Sequence, residues 1–149
     1  MELKNQQAIA APLQTVYDAL NDIDILRHCI PGCESIAKTS ESSMDATVTL
    51  KIGPIKASFV GELEISDLNP PNNYTLNFSG KGGTAGDARG SASVLLESES
   101  DASTVINYEV KADITGKIAQ VGNRLITSTA NVLAKKFFKR FGEQFEAEQ

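Results

Sequence analysis

From Ile118 onward an apolar or small residue returns every three or four positions: Ile118, Val121, Gly122, Leu125, Ile126, Thr129, Val132, Leu133, Phe137, Phe141 and Phe145. That spacing is one face of an α-helix. Over residues 115–146 it predicts a helix about 45 Å long at about 1.5 Å per residue. A stripe of that length cannot stay in water. Some other part of the chain must present a dry surface of similar reach, and that requirement constrains the whole fold.

The dry surface comes from the middle of the chain, where the period changes to two. Met44, Ala46, Val48, Leu50 and Ile52 alternate with Asp45, Thr47, Thr49 and Lys51. Ile55, Ala57, Phe59, Gly61, Leu63 and Ile65 do the same, followed by Tyr74, Leu76 and Phe78, then Ala88 to Leu96, then Ile106 to Ala112. Turn signals separate the runs: Gly53-Pro54, "NPPNN" at 69–73 and "ESESDAS" at 97–103. Alternation of this kind describes a consecutive antiparallel meander with one wet and one dry face. Ahead of it, Leu3 to Ile9 read as a first strand. Pro12 opens a short helix to about residue 20, and Asn21 or Asp22 caps a second, "DIDILRHCI", which "PGCE" ends. Helices before and after one antiparallel run predict an α+β fold, and 149 residues without a linker or repeat predict a single domain over 1–149.

The segment "SGKGGTAGDARGSASVLLE" (79–97) contains Gly80-Lys81-Gly82-Gly83-Thr84-Ala85, a match to the permissive dinucleotide pattern. A phosphate-binding loop of that type must open a helix, whose N-terminus receives the pyrophosphate. The residues after this one alternate as a strand, so a nucleotide site is rejected. The glycines instead join a set of small residues on the dry parity: Ala46, Ala57, Gly61, Gly80, Ala88, Gly90, Ala92 and Ala112. A packed interior places large side chains at several such positions. Small ones beneath a long helix predict a cavity. The alternative is a core filled by close approach of the helix. The glycines then serve the hairpin turn and sheet curvature, and the surface is an interaction module. By parity the cavity's ligand-binding wall is Val48, Leu50, Phe59, Leu76, Phe78, Ala92, Val94, Ile106, Tyr108, Val121 and Leu125, with Leu26, Ile30 and Pro31 at the mouth. Tyr108 is the expected partner for the polar head of an otherwise apolar ligand.

These features resemble the START-like, or helix-grip, superfamily. Within it the chain resembles the carbon monoxide dehydrogenase G-subunit family nearly end to end. "HCIPGCESI" (28–36), "KIGPIKASFVGELEI" (51–65), "NPPNNYTLNFSGKG" (69–82), "GDARGSASVLLE" (86–97) and "ITGKIAQVGNRLI" (114–126), with Phe137 and Phe138, carry the likeness. The resemblance implies a seven-stranded curved antiparallel sheet around a long C-terminal helix, with two short helices after strand 1. It also implies a non-catalytic accessory protein of a molybdenum hydroxylase, linked to enzyme maturation or to recruitment at the membrane. The expected partners are that enzyme or its assembly factors and a hydrophobic small molecule, a quinone or a lipid. With a filled core, the alternative is an interaction module for enzyme maturation or membrane recruitment. No resident cofactor is expected.

Other chemistries find little support. A net charge of −5 argues against nucleic acid as a partner. Lys135, Lys136, Lys139 and Arg140 form the one cationic cluster along the chain, a candidate surface for a protein or a membrane. His28, Cys29 and Cys33 invite a metal, but a closed zinc site needs four ligands and the chain has one histidine and two cysteines. The same single histidine weakens any nucleophile–base pairing. Most carboxylates fall on the wet parity of strands or in turns, so no catalytic pair is assigned, and a small hydrolase or cyclase of the same superfamily is the lesser alternative. Without a signal peptide or an apolar run of about 18 residues, and ending soon after its last helix, the chain is expected in the cytoplasm, peripheral at most on the inner face of the cell membrane.

Overall fold

The computed structural model describes residues 1–146. Its elements are β1 (Glu2–Ile9), α1 (Leu13–Leu20), α2 (Ile23–Cys29), β2 (Cys33–Lys38), β3 (Ser43–Ile52), β4 (Ile55–Asn69), β5 (Asn73–Lys81), β6 (Asp87–Ser100), β7 (Ser103–Ile114) and α3 (Asn123–Glu146). The strands form one seven-stranded sheet in the order β1-β7-β6-β5-β4-β3-β2, with every pairing antiparallel. Five of its strands are those marked by alternation after the helices. The additional one, β2, escapes a periodicity reading because Ile36 alone among its six residues is buried.

Local chemistry sets the joints. Asp22 caps α2, its side chain accepting from the backbone N–H groups of Asp24 and Ile25 at 2.9 and 3.4 Å. Pro12 sits at the N-cap of α1, one residue outside the helix. Thr104, fully buried, donates through Oγ1 to the Ala11 carbonyl at 2.8 Å and ties β7 to the chain leaving β1.

The last helix is shorter than its stripe predicts. Gly116 and Gly122 adopt φ of +81° and +97°, a region that L side chains rarely enter, and they bracket a 3₁₀ turn at Lys117–Val121. The α-helix therefore begins at Asn123 and runs for 24 residues, about 36 Å. Ile118 still faces inward, but from the turn.

Two ends of the interior differ. At one, α1 and the second half of α3 pack on β1, β5, β6 and β7 through Ile9, Val16, Tyr17, Leu20, Tyr74, Leu96, Ile106, Phe141 and Phe145. Aromatic rings touch in series there, with Tyr108 stacked on Phe138 at 5.1 Å and Phe137, Phe141 and Phe145 following along the helix. At the other end the first half of α3 crosses β3 to β7, and the side chains between are few and small.

Candidate functional site

Strand register lines up the small residues. Ala46 on β3 pairs with Gly61 on β4, Gly61 with Gly80 on β5, and Gly80 with Ala88 on β6. Four adjacent strands thus present one row with nothing larger than a methyl group. The neighbouring row holds Leu63, Phe78, Gly90 and Ala112. Above them α3 turns Ile126, Thr129, Ala130 and Leu133 toward the sheet, so the facing surface is modest as well. Between the two lies a cavity of about 360 Å³, within the size range of small-molecule sites. Its end walls are Met1, Ile30, Val48, Leu50, Ile52, Phe59, Ile114 and Ile118.

The cavity is apolar. Glu62 and Ser79 border it but pair with Asp45 and Arg89 on the outward rows of the sheet, leaving Thr129 as the polar side chain on the inward surface. Its hydroxyl donates to the Leu125 carbonyl at 2.8 Å, so toward the cavity it offers lone pairs alone. Among the described residues no group of three or more His, Cys, Asp or Glu is placed to hold a metal.

Glycine is required at some of these sites and merely present at others. A Cβ on Gly90 lies 2.0 Å from the Lys111 carbonyl oxygen, so β6 and β7 approach too closely for any side chain. A Cβ on Gly80 meets nothing nearer than 3.7 Å, an ordinary contact with Phe59. Gly80 is therefore empty space above a strand.

The structure brings part of the predicted wall to the cavity. Val48, Leu50, Phe59 and Phe78 line it, as does Ile30 from the predicted mouth. Leu76, Val94 and Tyr108 pack against the aromatic end instead, and Ile106 is buried within it. Ala92 pairs with Leu76 and Val110, one row further from the cavity. Val121 packs with Ala57, Ala85, Ile118 and Ile126. Leu125 is 36% exposed and lies over the β3–β4 turn, its Cδ2 2.7 Å from where a Cβ on Gly53 would stand. Leu26 joins Ile36, Met44 and Ala46 in a third cluster, and Pro31 is half-buried beyond the lining. Lys135, Lys136, Lys139 and Arg140 lie along α3, where Lys135, Lys136, Lys139 and Arg140 are all exposed.

The lining also includes Met1, Ile52, Leu63, Ile114, Ile118, Ile126, Thr129, Ala130 and Leu133. The expected wall leaves these out, although Ile52 and Leu63 share its parity and Ile118, Ile126, Thr129 and Leu133 lie on the helical stripe. The signal for them was the small-residue row: a wall is drawn beside the residues that make room, and the larger inward side chains fill the opposite end.

A larger concavity, about 620 Å³, lies on the convex face among Lys4, Asn5, Gln6, Asn73, Thr75, Ser93, Asn107 and Glu109, with Tyr108 and Val94 at its edge. Its walls are mainly outward polar side chains, which makes it a solvent-facing dip. The Glu109–Lys111 pair on that face is long, 3.9 Å, and exposed, while Asp87 and Arg89 form no such pair among the described residues. Of the cysteines, Cys29 is buried and Cys33 partly so. Burial pushes the Cys29 thiol up, with Arg140 opposing and Glu143 adding to the rise, which disfavours the thiolate.

Comparison with known proteins agrees with this architecture. A sequence profile described as the G subunit of carbon monoxide dehydrogenase (CoxG) matches residues 6–145. No curated protein matches the sequence significantly. Among solved structures, a conserved protein from Geobacillus kaustophilus superposes with a TM-score of 0.93 at 26% identity, covering 99% of this chain and 96% of its own. A START superfamily protein from Mycobacterium smegmatis gives 0.76 at 10% identity, covering 99% of each chain. The Zhui aromatase/cyclase from Streptomyces sp. R1128 gives 0.66 at 9% identity, covering 98% of this chain and 93% of that one. The fold is therefore START-like, of the helix-grip type, and it is shared with an enzyme.

Proposed function

The chain belongs to the CoxG family of carbon monoxide dehydrogenase subunits, and from that premise we propose that it holds a hydrophobic small molecule as a non-catalytic accessory protein of a molybdenum hydroxylase of the carbon monoxide dehydrogenase kind. The observation that carries the proposal is the Ala46–Gly61–Gly80–Ala88 row beneath the cavity. Native interiors close over their voids with large side chains, and here the sequence withholds them along a single line across four strands. In this reading the single START-like domain proposed for residues 1–149, of which 147–149 lie outside the described residues, is built around this site.

The inward surface also favours binding over chemistry. It offers one hydroxyl whose proton is already engaged, and no acid or base to move a proton at a reacting centre. Apolar burial, worth about 25 cal/mol per Å² before ordering costs, is the affinity available. A quinone or a lipid matches that chemistry, and a quinone has the further logic that electrons leaving such a hydroxylase commonly end in the membrane quinone pool. No helix among the described residues is long and apolar enough to cross a membrane, so contact with the inner face of the cell membrane is peripheral in this scheme.

Native mass spectrometry of protein from its own host, followed by solvent extraction, tests the proposal. A discrete bound mass is expected, and it should disappear in Gly80→Val, which fills the cavity from a position with room for a side chain. A bare mass that stays bare after incubation with quinones and lipids overturns it. The exposed cations Lys135, Lys136, Lys139 and Arg140 favour a second role as a docking module for the enzyme or its assembly factors. In that case their charge reversal removes enzyme capture and Gly80→Val does not.

A further inference from the structure

Most of the cavity's walls are held by strand ladders or by a helix. β3 and β4 pair from Ser43–Glu64 to Ile52–Ile55, β7 pairs with β1 on one side and β6 on the other, and α3 is anchored through Phe141 and Phe145 at the filled end. The exception is the 3₁₀ turn Lys117–Val121, which contributes Ile118 to the lining. Up to Thr115 the chain is fastened to β6. The Thr115 N–H donates to the Asp87 carbonyl at 2.9 Å, and the Asp87 N–H donates to the Thr115 carbonyl at 3.2 Å. Beyond that point the bonds turn inward on the segment itself: the Ala119 N–H to the Gly116 carbonyl at 3.1 Å, the Gly122 N–H to the Ala119 carbonyl at 3.3 Å, and the Ile126 N–H to the Gly122 carbonyl at 3.1 Å. Among the described residues no backbone hydrogen bond ties the turn to a strand.

One side chain does most of the holding. Lys117, Ala119 and Gln120 are exposed, whereas Ile118 is 2% exposed and clusters with Ala57, Ala85 and Ile126. The two glycines that bracket the turn differ in kind. A Cβ on Gly116 would stand 2.5 Å from the Gly86 Cα, so that end is a close-packed joint. Gly122 has a φ of +97° and nothing within 4 Å of where its Cβ would be. Glycine there supplies backbone latitude, with open space around it.

We propose that Lys117–Val121 is the door of the cavity, swinging about Gly122 and closed by Ile118, so that a ligand enters and leaves while that side chain is lifted from its seat. The proposal rests on the carrier reading, because a door serves a cavity that exchanges its contents. Hinges in proteins are a few residues at element ends that absorb a change in φ and ψ, and Gly122 stands at such an end, directly before α3. An opening of this size exposes little surface, so it responds weakly to denaturant where global unfolding responds strongly. Closure by one aliphatic side chain also sets a scale: each buried carbon removed from it raises the open population by about fourfold.

Stopped-flow uptake of the neutral fluorophore N-phenyl-1-naphthylamine tests the door. Ile118→Val should raise the association rate constant by about fourfold and Ile118→Ala by about tenfold or more. Release should rise in step, so that affinity changes less than either rate. Leu133→Ala, on the wall further along α3, should alter release and leave association as it was. Association unchanged in both Ile118 variants, or raised instead by Ile30→Ala at the end of α2, overturns the door. Ile118→Cys combined with Cys33→Ser reads the motion without a ligand, with the buried Cys29 as internal reference. N-ethylmaleimide should modify the introduced thiol at a rate nearly flat in low urea, while the rate at Cys29 climbs with urea as global unfolding does. Parallel climbs, in a protein that still takes up the fluorophore, overturn the door and spare the carrier. A parent chain that takes up no fluorophore removes the carrier, and the door with it.

Discussion

The two ends of this molecule use the same sheet and the same helix for opposite purposes. All three tyrosines and four of the six phenylalanines gather at the end built from α1, β1, β5–β7 and the second half of α3. Phe59 and Phe78 are the aromatic residues left for the other end, where glycine and alanine face threonine and alanine across open space. One end is filled to hold the chain together, which lets the other be left unfilled. A uniform distribution of the same side chains would give neither a firm core nor a cavity.

The sharpest way to break that comparison is to truncate large side chains at both ends. Phe141→Ala removes a ring with 0% exposure and should cost about 3–5 kcal/mol in urea unfolding. Leu133→Ala, half-buried on the cavity wall, should cost about 1 kcal/mol. Similar losses at the two positions would mean that the ends are not mechanically distinct. Next in size, Gly90→Ala drives a Cβ to 2.0 Å from the Lys111 carbonyl oxygen and should cost about 1–3 kcal/mol or more by forcing β6 from β7. Gly80→Ala should stay within about 0.5 kcal/mol of the parent. The pair separates a glycine needed for strand approach from one needed for room.

Smaller effects sharpen the filled end. The Tyr17 hydroxyl is buried without a hydrogen-bond partner among the described residues, so Tyr17→Phe should be neutral or stabilise by about 1 kcal/mol, read as a rise in thermal midpoint. Burial, with Tyr17 adding to it, raises the Tyr74 phenol well above its ordinary value of 10.0. A raised acid of this kind leaves stability intact below about pH 10. Above it the unfolded chain ionises the phenol while the folded chain keeps it neutral, and stability falls as pH climbs. Tyr74→Phe should therefore soften alkaline unfolding above about pH 10 and change little at neutral pH. An alkaline limb identical to the parent would place Tyr74 in a wetter site than its packing against Tyr17 at 5.8 Å implies.

Sequence periodicity made the sheet legible because a period-two pattern survives any bending of the strands, and Met44–Ile52 and Ile55–Ile65 carry it plainly. β2 left no such mark, since an edge strand with a single buried residue has no dry face to advertise. The helix was overextended because its stripe continues through Ile118 and Val121, and side-chain spacing is blind to the positive φ of Gly122. Parity told which residues face inward without saying how far along the sheet each one lies. It therefore grouped Phe59 and Phe78, which line the cavity, with Ile106 and Tyr108, which face inward at the filled end. Register across strands separates the two groups, and register is a property of pairing that a single strand's pattern does not contain.

The floor of the cavity is specified by what is missing at Ala46, Gly61, Gly80 and Ala88, and a missing side chain is unusually easy to restore. A glycine codon becomes an alanine codon through one base change, and each such change at Gly80 trims the space without disturbing a hydrogen bond or a fold-defining contact. The row therefore works as a notched gauge. Substitutions along it would shorten or lengthen the cavity in methyl-sized steps, at one strand at a time, while the aromatic end stays unaltered.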